Sequence, residues 1–548
     1  MTPVRTAPAV PEIAAPRIIW SIAGNDSGGG AGLSADARAA AAFGVHLCPV
    51  VAAITAQNSL TVTHVEPIAP ELLDAQLAAL ADDLPPVAIK TGLLGSAANI
   101  AVLARWIDRL RQRAPVALVV DPVLGASSGA AFADGAVLTA YRDLLLPRAT
   151  LVTPNEREAR RLVGPGADAM AAPQLAEALR ALGAAAVAIT GGDSAHAPGC
   201  SLDWIATEHA SGWLALPRVG TPHTHGTGCT FASSAASALA LGFVAADALV
   251  LAKMATTHAI ACGHAAGQGA GPVAARAGFG TQPDRLPVLS WDDHFNMDSC
   301  SRLLDGRQSA ISPEPCDIGL YAIVDRAERV AQVLAAGVRT VQLRIKTPAR
   351  PDAAWHAALS AQLARALAAC RQAGATLVVN DHWRAAAELA AGDARHMAIH
   401  LGQEDLLALG AAGRAELAAT GLRLGISSHS LWELCRARGL APWYLACGPV
   451  WPTLTKAMPW VPQGLANLAW WVHMAGVPVV AIGGILESAQ AEQAARSGAA
   501  GVCIVRGLGE EPGATVPLWQ AAIDHGRVAP RVPVPALPHP SLAEPMTK

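Results

Sequence analysis

Eight short β-rich runs recur in the C-terminal part of the chain, at 320–325, 340–345, 376–381, 398–402, 423–427, 444–448, 478–484 and 501–505. Most are separated by Ala- and Leu-rich stretches long enough for a helix. Parallel strands need such crossovers, whereas antiparallel ones can turn back within two residues. Eight units in just over 200 residues therefore predict a closed (β/α)8 TIM barrel. In that fold the chemistry sits at the C-terminal strand ends. Polar residues cluster after the runs: Gln342, Arg344 and Lys346; Asn380 and Asp381; Gln403 and Asp405; Ser427; Thr453, Thr455 and Lys456; Gly483 and Gly484. Six such clusters on one rim are more than ordinary loop composition explains.

The N-terminal half carries further β-rich runs at 18–23, 49–55, 88–91, 118–123, 151–153 and 186–190, most leading into turns with Gly, Asp or Asn. An open, mostly parallel sheet covered by helices is expected, with ligands beyond the carboxyl ends of its strands. The chain is thus α/β throughout, and its 548 residues suit two or more domains. A hydrophobic fraction of 52% with 15% charged residues excludes wholesale disorder. A net charge of -3 excludes nucleic-acid binding by bulk electrostatics, so any phosphate must be met by local groups. The ten cysteines form no CxxC pair, which removes the usual zinc spacings and leaves most of them as small buried residues in a reducing compartment. The first residues lack the apolar core of a signal peptide. The most apolar stretch, about 232–255, is interrupted by Asp247 and Lys253 and reads as one buried helix rather than a membrane span. A cytoplasmic enzyme is the working expectation.

Two segments of the N-terminal half point to phosphate chemistry. AGNDSGGGAGLSAD (23–36) follows a strand and leads into a helix, and its glycines let the backbone approach a ligand. It lacks the Walker A lysine. THGTGCT (224–230) precedes the long apolar stretch, so its Gly226, Thr227, Gly228 and Cys229 lie at a helix start, where free N–H groups and the dipole favour an anion. Cys229 there is expected to have a lowered pKa; a buried core cysteine is the alternative reading. His223 and His225 are equally open as loop or catalytic residues.

With these segments, AQNS (56–59), KTGLL (90–94), VVDPVLGASSG (119–129), TPNEREA (153–159) and TGGD (190–193), the N-terminal half resembles hydroxymethylpyrimidine (phosphate) kinase of the ribokinase-like superfamily. The resemblance implies that Gly24, Asp36 and Gln57 hold the aminopyrimidine. It also implies that Asn155, Thr190 and the Gly226–Thr227–Gly228 turn face ATP, and that Cys229 lies at the accepting hydroxyl, with Mg2+ assisting. KTGLL replaces the commoner KIGML, so Leu93 stands for a pocket methionine, a nearly volume-conserving change.

In the C-terminal half, strand alternation in VQLRIK (341–346) puts Gln342, Arg344 and Lys346 on one face, a ready diphosphate site. Asp381 and Asp405 follow consecutive strands and offer two hard oxygen ligands for Mg2+; helix N-caps are the alternative reading. PTLTK (452–456) supplies hydroxyls and an ammonium, and AIGGI (481–485) bare backbone N–H groups. With GLYAIVD, VVNDHWRAA, HLGQEDL, LGISSH, GPVWPTLTK and PQG in order, this half resembles thiamine phosphate synthase over about 318–520. The resemblance implies that Gln342, Arg344, Lys346, Asn380, Ser427 and Lys456 hold the pyrimidine diphosphate. Asp381 and Asp405 would bind Mg2+, and Thr453, Thr455, Gly484, Ile504 and Val505 would meet the thiazole phosphate. Arg506 departs from the family, which has a small serine there.

The expected organisation is a kinase domain at 15–285, a linker at 286–317, a barrel at 318–528 and a disordered Pro-rich tail at 529–548. The expected function is bifunctional: ATP phosphorylates hydroxymethylpyrimidine twice, and the barrel couples the diphosphate to hydroxyethylthiazole phosphate. Preference of the kinase for pyridoxal-like alcohols, or a barrel weakened to a ligand-binding module, are the alternatives. The partners expected are these small molecules, with no nucleic acid or membrane; self-association is left open.

Overall fold

The computed structural model describes residues 15–125, 132–192, 199–293, 317–390, 394–453 and 459–542. The N-terminal half is one ten-stranded sheet. Its parallel centre comprises β1 (Ile18–Asn25), β2 (His46–Gln57), β4 (Ala88–Thr91), β5 (Ala117–Val120), β6 (Leu151–Val152) and β7 (Val187–Thr190). Helices cover both faces, so β4 is buried at all four positions, Lys90 and Thr91 included. Antiparallel strands close the edges: β3 (Val62–Pro67) on β2, and β8 (Cys200–Ala206), β9 (Ser211–Pro217) and β10 (Val288–Leu289) beyond β7. The segment expected to open the linker thus supplies the last strand of this sheet.

The apolar stretch expected as one helix is two, Thr227–Ala240 and Ala245–Ala261. Gly242, at φ +89°, ends the first in a left-handed turn, with Gly242 N–H on Leu239 O and Phe243 N–H on Ala238 O. The two charged residues inside this stretch are buried and satisfied from afar. Lys253 Nζ donates to Asp203 Oδ2 at 2.7 Å and to Ser201 Oγ at 2.8 Å. Asp247 Oδ1 accepts from Trp432 N–H at 3.0 Å, and burial raises its carboxyl to about 8. Among the described residues, no helix is long and apolar enough to cross a membrane.

The C-terminal half closes as predicted into an eight-stranded parallel barrel: β11 (Gly319–Val324), β12 (Thr340–Leu343), β13 (Thr376–Asn380), β14 (Met397–Leu401), β15 (Arg423–Ser428), β16 (Tyr444–Cys447), β17 (Val479–Ala481) and β18 (Gly501–Ile504). The pairing of β18 with β11 completes the ring, so every strand delivers its C-terminal end to one rim. Trp470 Nε1 donates to Gly280 O at 2.7 Å, Arg438 Nη1 to Leu286 O at 2.7 Å and Arg436 Nη2 to Ser211 O at 3.1 Å, all across the two halves.

The tail is not disordered over its described part. His539 N–H donates to Asn467 Oδ1 at 2.8 Å, Val461 N–H to Ser541 O at 2.8 Å, and Leu542 is buried. Proline forbids helix and central strand, but it does not forbid docking.

Candidate functional sites

In the N-terminal half the two glycine-rich segments interlock. Gly226 sits at φ +85° before the helix Thr227–Ala240, and a Cβ on it would lie 2.2 Å from the Gly30 carbonyl oxygen. A Cβ on Gly30 would lie 2.2 Å from His225 Cδ2. Neither position tolerates a side chain, which is why both segments need glycine. Asp26 ties them together: its carboxylate accepts from Gly28, Gly30 and Ala31 N–H and sits 2.9 Å from His225 Nε2. Burial opposes its charge, but His225 and the backbone donors hold its pKa below the ordinary value. Gln57 joins at 3.3 Å from His225. Gly24 lies at an irregularity in the β1–β2 register, with room for a Cβ only 3.2 Å from Leu93.

Asp36 lies beneath this surface with no exposure. Its oxygens accept from Lys90 Nζ at 2.9 and 3.0 Å, Ser21 Oγ at 2.6 Å and Ser233 Oγ at 2.8 Å. Burial alone would depress the Lys90 ammonium, but Asp36, Cys229 and Asp121 together hold its pKa above the ordinary value. Asp121 Oδ2 is 3.8 Å from Lys90 Nζ and has no hydrogen-bond partner. Burial pushes Asp121 up to about 6 and Glu158 up to about 8, and the Asp121 charge adds to the second shift. Asn155 caps the helix Glu156–Val163, its Oδ1 accepting from Glu158 N–H while Glu158 Oε2 accepts from Asn155 N–H; Thr190 lies alongside as its bridge partner.

The expectation for Cys229 is overturned in one respect. Its thiol is pushed up to about 12, not down, because burial is the largest influence and the Asp36 and Asp121 charges reinforce it against the Lys90 ammonium. A helix start contributes only about 0.3–1 kcal/mol at exposed sites, less than burial costs a thiolate here. Lys90, Asp121, Asp26 and Glu158 all stand inside the motifs quoted above, yet spacing alone gives no sign that they meet.

On the barrel rim, β12 ends at Leu343, so the alternation read through VQLRIK stops short. Gln342 points into the barrel and is buried, while Arg344 and Lys346 are exposed in the following loop. Asn380 is buried at the end of β13, and Asp381 follows at φ +65°, a backbone state rarely adopted outside glycine. Burial raises the Asp381 pKa, and the Asp405 charge raises it further. Asp405 Oδ2 accepts from Gly402 N–H at 3.0 Å, but Gly402 is the N-cap and Asp405 the third residue of the helix Gln403–Ala408, so it braces the helix start without being its N-cap. Ser427 Oγ lies 2.8 Å from His400 Nε2. A Cβ on Gly484, at φ +74°, would lie 2.5 Å from Trp451 O, which brings the Gly483–Gly484 turn against the loop after β16. Ile504 ends β18, Val505 is exposed, and the exposed Arg506 opens the turn Arg506–Leu508. Thr453 is described; Thr455 and Lys456 lie outside the described residues.

Two family models match the chain: phosphomethylpyrimidine kinase over residues 26–274 and thiamine monophosphate synthase over 320–508. The hydroxymethylpyrimidine/phosphomethylpyrimidine kinase of Synechococcus elongatus is 42% identical over 257 residues, covering 47% of this chain and 96% of that protein. The probable thiamine biosynthetic bifunctional enzyme, chloroplastic, of Oryza sativa subsp. japonica is 31% identical over 493 residues, covering 88% of this chain and 83% of that protein. The thiamine biosynthetic bifunctional enzyme of Arabidopsis thaliana is 29% identical over 500 residues, with 88% and 87% covered. The chain belongs to the bifunctional thiamine biosynthesis enzymes, in which a hydroxymethylpyrimidine/phosphomethylpyrimidine kinase is joined to a thiamine phosphate synthase.

Proposed function

We propose that the two activities divide between the two sites described, with kinase chemistry carried by the open sheet, extended to its last strand β10, and coupling carried by the barrel rim. The observation that carries this reading is the interlock of Gly30 with Gly226 beside Cys229 and Lys90, which gathers a glycine-lined anion cradle and a buried cation at one place. In the kinase site, Gly24 and Gln57 face the aminopyrimidine, with Asp36 acting from beneath through Lys90. The N–H groups of the Gly226–Thr227–Gly228 turn receive the phosphoryl group, and Asn155 and Thr190 stand on the ATP side. The Cys229 thiol stays protonated, so it meets the accepting hydroxyl and the phosphoryl oxygens as a neutral group without repelling their charge.

In the coupling site, Gln342 and Asn380 read the pyrimidine. Arg344, Lys346, Lys456 and Ser427 hold the diphosphate, and Thr453, Thr455, Gly484, Ile504 and Val505 meet the thiazole phosphate. The pyrimidine carbon can lose its diphosphate before attack, because the electron-rich ring delocalises the cation; the thiazole nitrogen then closes the bond. This residue set includes no acid or base for the step.

The donor sets fit Mg2+. Asp121 has a buried oxygen without a hydrogen-bond partner beside Glu158, and the Asp405 charge raises the cost of ionising Asp381. Asp121 and Glu158, or Asp381 and Asp405, would hold Mg2+, which would supply positive charge to the phosphate oxygens.

The assignment is tested in the full chain with Asp381→Asn. Supplied with hydroxymethylpyrimidine, ATP, Mg2+ and thiazole phosphate, this variant should accumulate pyrimidine diphosphate and form little thiamine phosphate. Undiminished thiamine phosphate would remove Asp381 from the coupling site.

A further inference from the structure

The barrel interior holds a polar chain whose middle members, Tyr321, Tyr444 and His400, the binding-site reading does not use. Tyr321 and Tyr444 are buried, meet edge to face at 86°, and bring their phenol oxygens to 2.7 Å. At one end the Gln342 amide, on the neighbouring strand, favours the charged form of Tyr321 against its burial. At the other end Tyr444 Oη lies 2.8 Å from His400 Nδ1, and His400 Nε2 lies 2.8 Å from Ser427 Oγ. The strands make room for this chain: a Cβ on Gly425, the β15 partner of Tyr444, would lie 2.2 Å from its Cζ. His400 is buried and its two ring nitrogens meet the Tyr444 and Ser427 hydroxyls rather than a carboxylate that would hold an imidazolium, so the ring is neutral.

A neutral imidazole donates from one nitrogen and accepts at the other. The bonds on its two sides must therefore run in one direction, and each phenol passes that direction on. Two arrangements run unbroken along the whole chain. In the first, Tyr444 donates to Nδ1, Nε2–H donates to Ser427, and the Ser427 hydrogen is free to point to the rim. In the second, Ser427 donates inward to Nε2 and shows the rim only lone pairs. An anion at the rim selects the first.

We propose that Tyr321, Tyr444 and His400 are positioning residues for the coupling step, a buried hydrogen-bond relay that turns the Ser427 hydroxyl toward the diphosphate and ties its direction to the Gln342 amide. This rests on the reading above that Ser427 and Gln342 face the pyrimidine diphosphate. Both ends of one ligand are then read through the same chain, because the direction fixed at Ser427 decides whether Gln342 donates to Tyr321 or accepts from it.

The test uses the full-length chain in three forms, Tyr444→Phe, Ser427→Ala and the double variant. Coupling is measured from supplied pyrimidine diphosphate, with kinase turnover and thermal unfolding of the same preparations as controls. Tyr444→Phe keeps the ring and removes the hydroxyl that sets the His400 tautomer. The KM for pyrimidine diphosphate should rise about 10-fold, the worth of one hydrogen bond to a charged group. That loss should vanish in the Ser427→Ala background. An unchanged KM in Tyr444→Phe overturns the relay. So does an equal loss with and without the Ser427 hydroxyl, since a merely structural effect adds. If Ser427→Ala alone leaves coupling untouched, the placement of Ser427 at the diphosphate fails, and the relay with it. Should Tyr444→Phe unfold early or lose kinase turnover, Tyr321→Phe replaces it in the same cycle, where an unchanged KM or an equal loss in both backgrounds again overturns the relay.

Discussion

Lys90 is the residue whose removal has the most direct consequence for stability. Its ammonium has no exposure and lies 2.9 and 3.0 Å from the two oxygens of Asp36, which is equally buried. Lys90→Met keeps most of the side-chain volume and deletes the charge. Asp36 then keeps only the Ser21 and Ser233 hydroxyls as donors. Breaking one partner of a buried pair costs about 3–5 kcal/mol, because the other charge is stranded without water. For a domain of this size each kcal/mol moves the melting temperature by about 2–4 °C, so the kinase transition should fall by at least about 6 °C. Differential scanning calorimetry of the full chain reads this. The companion variant Lys90→Met with Asp36→Asn removes the stranded charge and should recover more than half of the loss. A single variant that melts within about 2 °C of the parent would refute the reasoning, as would a double variant less stable than the single one; either would mean that Asp36 reaches water or another cation.

Two further outcomes follow from the same geometry. Cys229 keeps some exposure, so a reagent can reach it, but burial and the Asp36 and Asp121 charges push its thiol up to about 12, and alkylation by iodoacetamide should be slow at neutral pH and rise with pH. Mass spectrometry of the Cys229 peptide checks this, and fast labelling at neutral pH would contradict it. Asp121→Asn should lower kinase kcat/KM by at least about 100-fold and raise the Mg2+ concentration needed for half activity, while coupling from supplied diphosphate stays unchanged. Steady-state kinetics of both activities across a Mg2+ titration checks this.

The barrel was legible because one unit repeats eight times, each an apolar run followed by polar residues at the same end. Its rim residues follow from that arrangement, and the family resemblance names their roles. What was not legible depends on partners far apart in the chain. Lys253 and Asp247 look like interruptions of an apolar helix, yet they answer Asp203 and the helix start at Trp432. The edge strands β8 and β9 are broken by charged and small residues, and their pairing is held by contacts such as Trp204 against Trp213. The Cys229 shift needs the depth of the site, which no spacing encodes. The relay of Tyr321, Tyr444 and His400 comes from three separate strands whose polar residues each look like an isolated core exception.

The central claim is that one chain holds two working sites in series. Purified full-length protein given hydroxymethylpyrimidine, ATP, Mg2+ and hydroxyethylthiazole phosphate should release thiamine phosphate and pyrophosphate without any added enzyme. Formation of pyrimidine diphosphate with no thiamine phosphate, even after prolonged incubation, would contradict a competent barrel; no phosphorylated pyrimidine at all would contradict the kinase site.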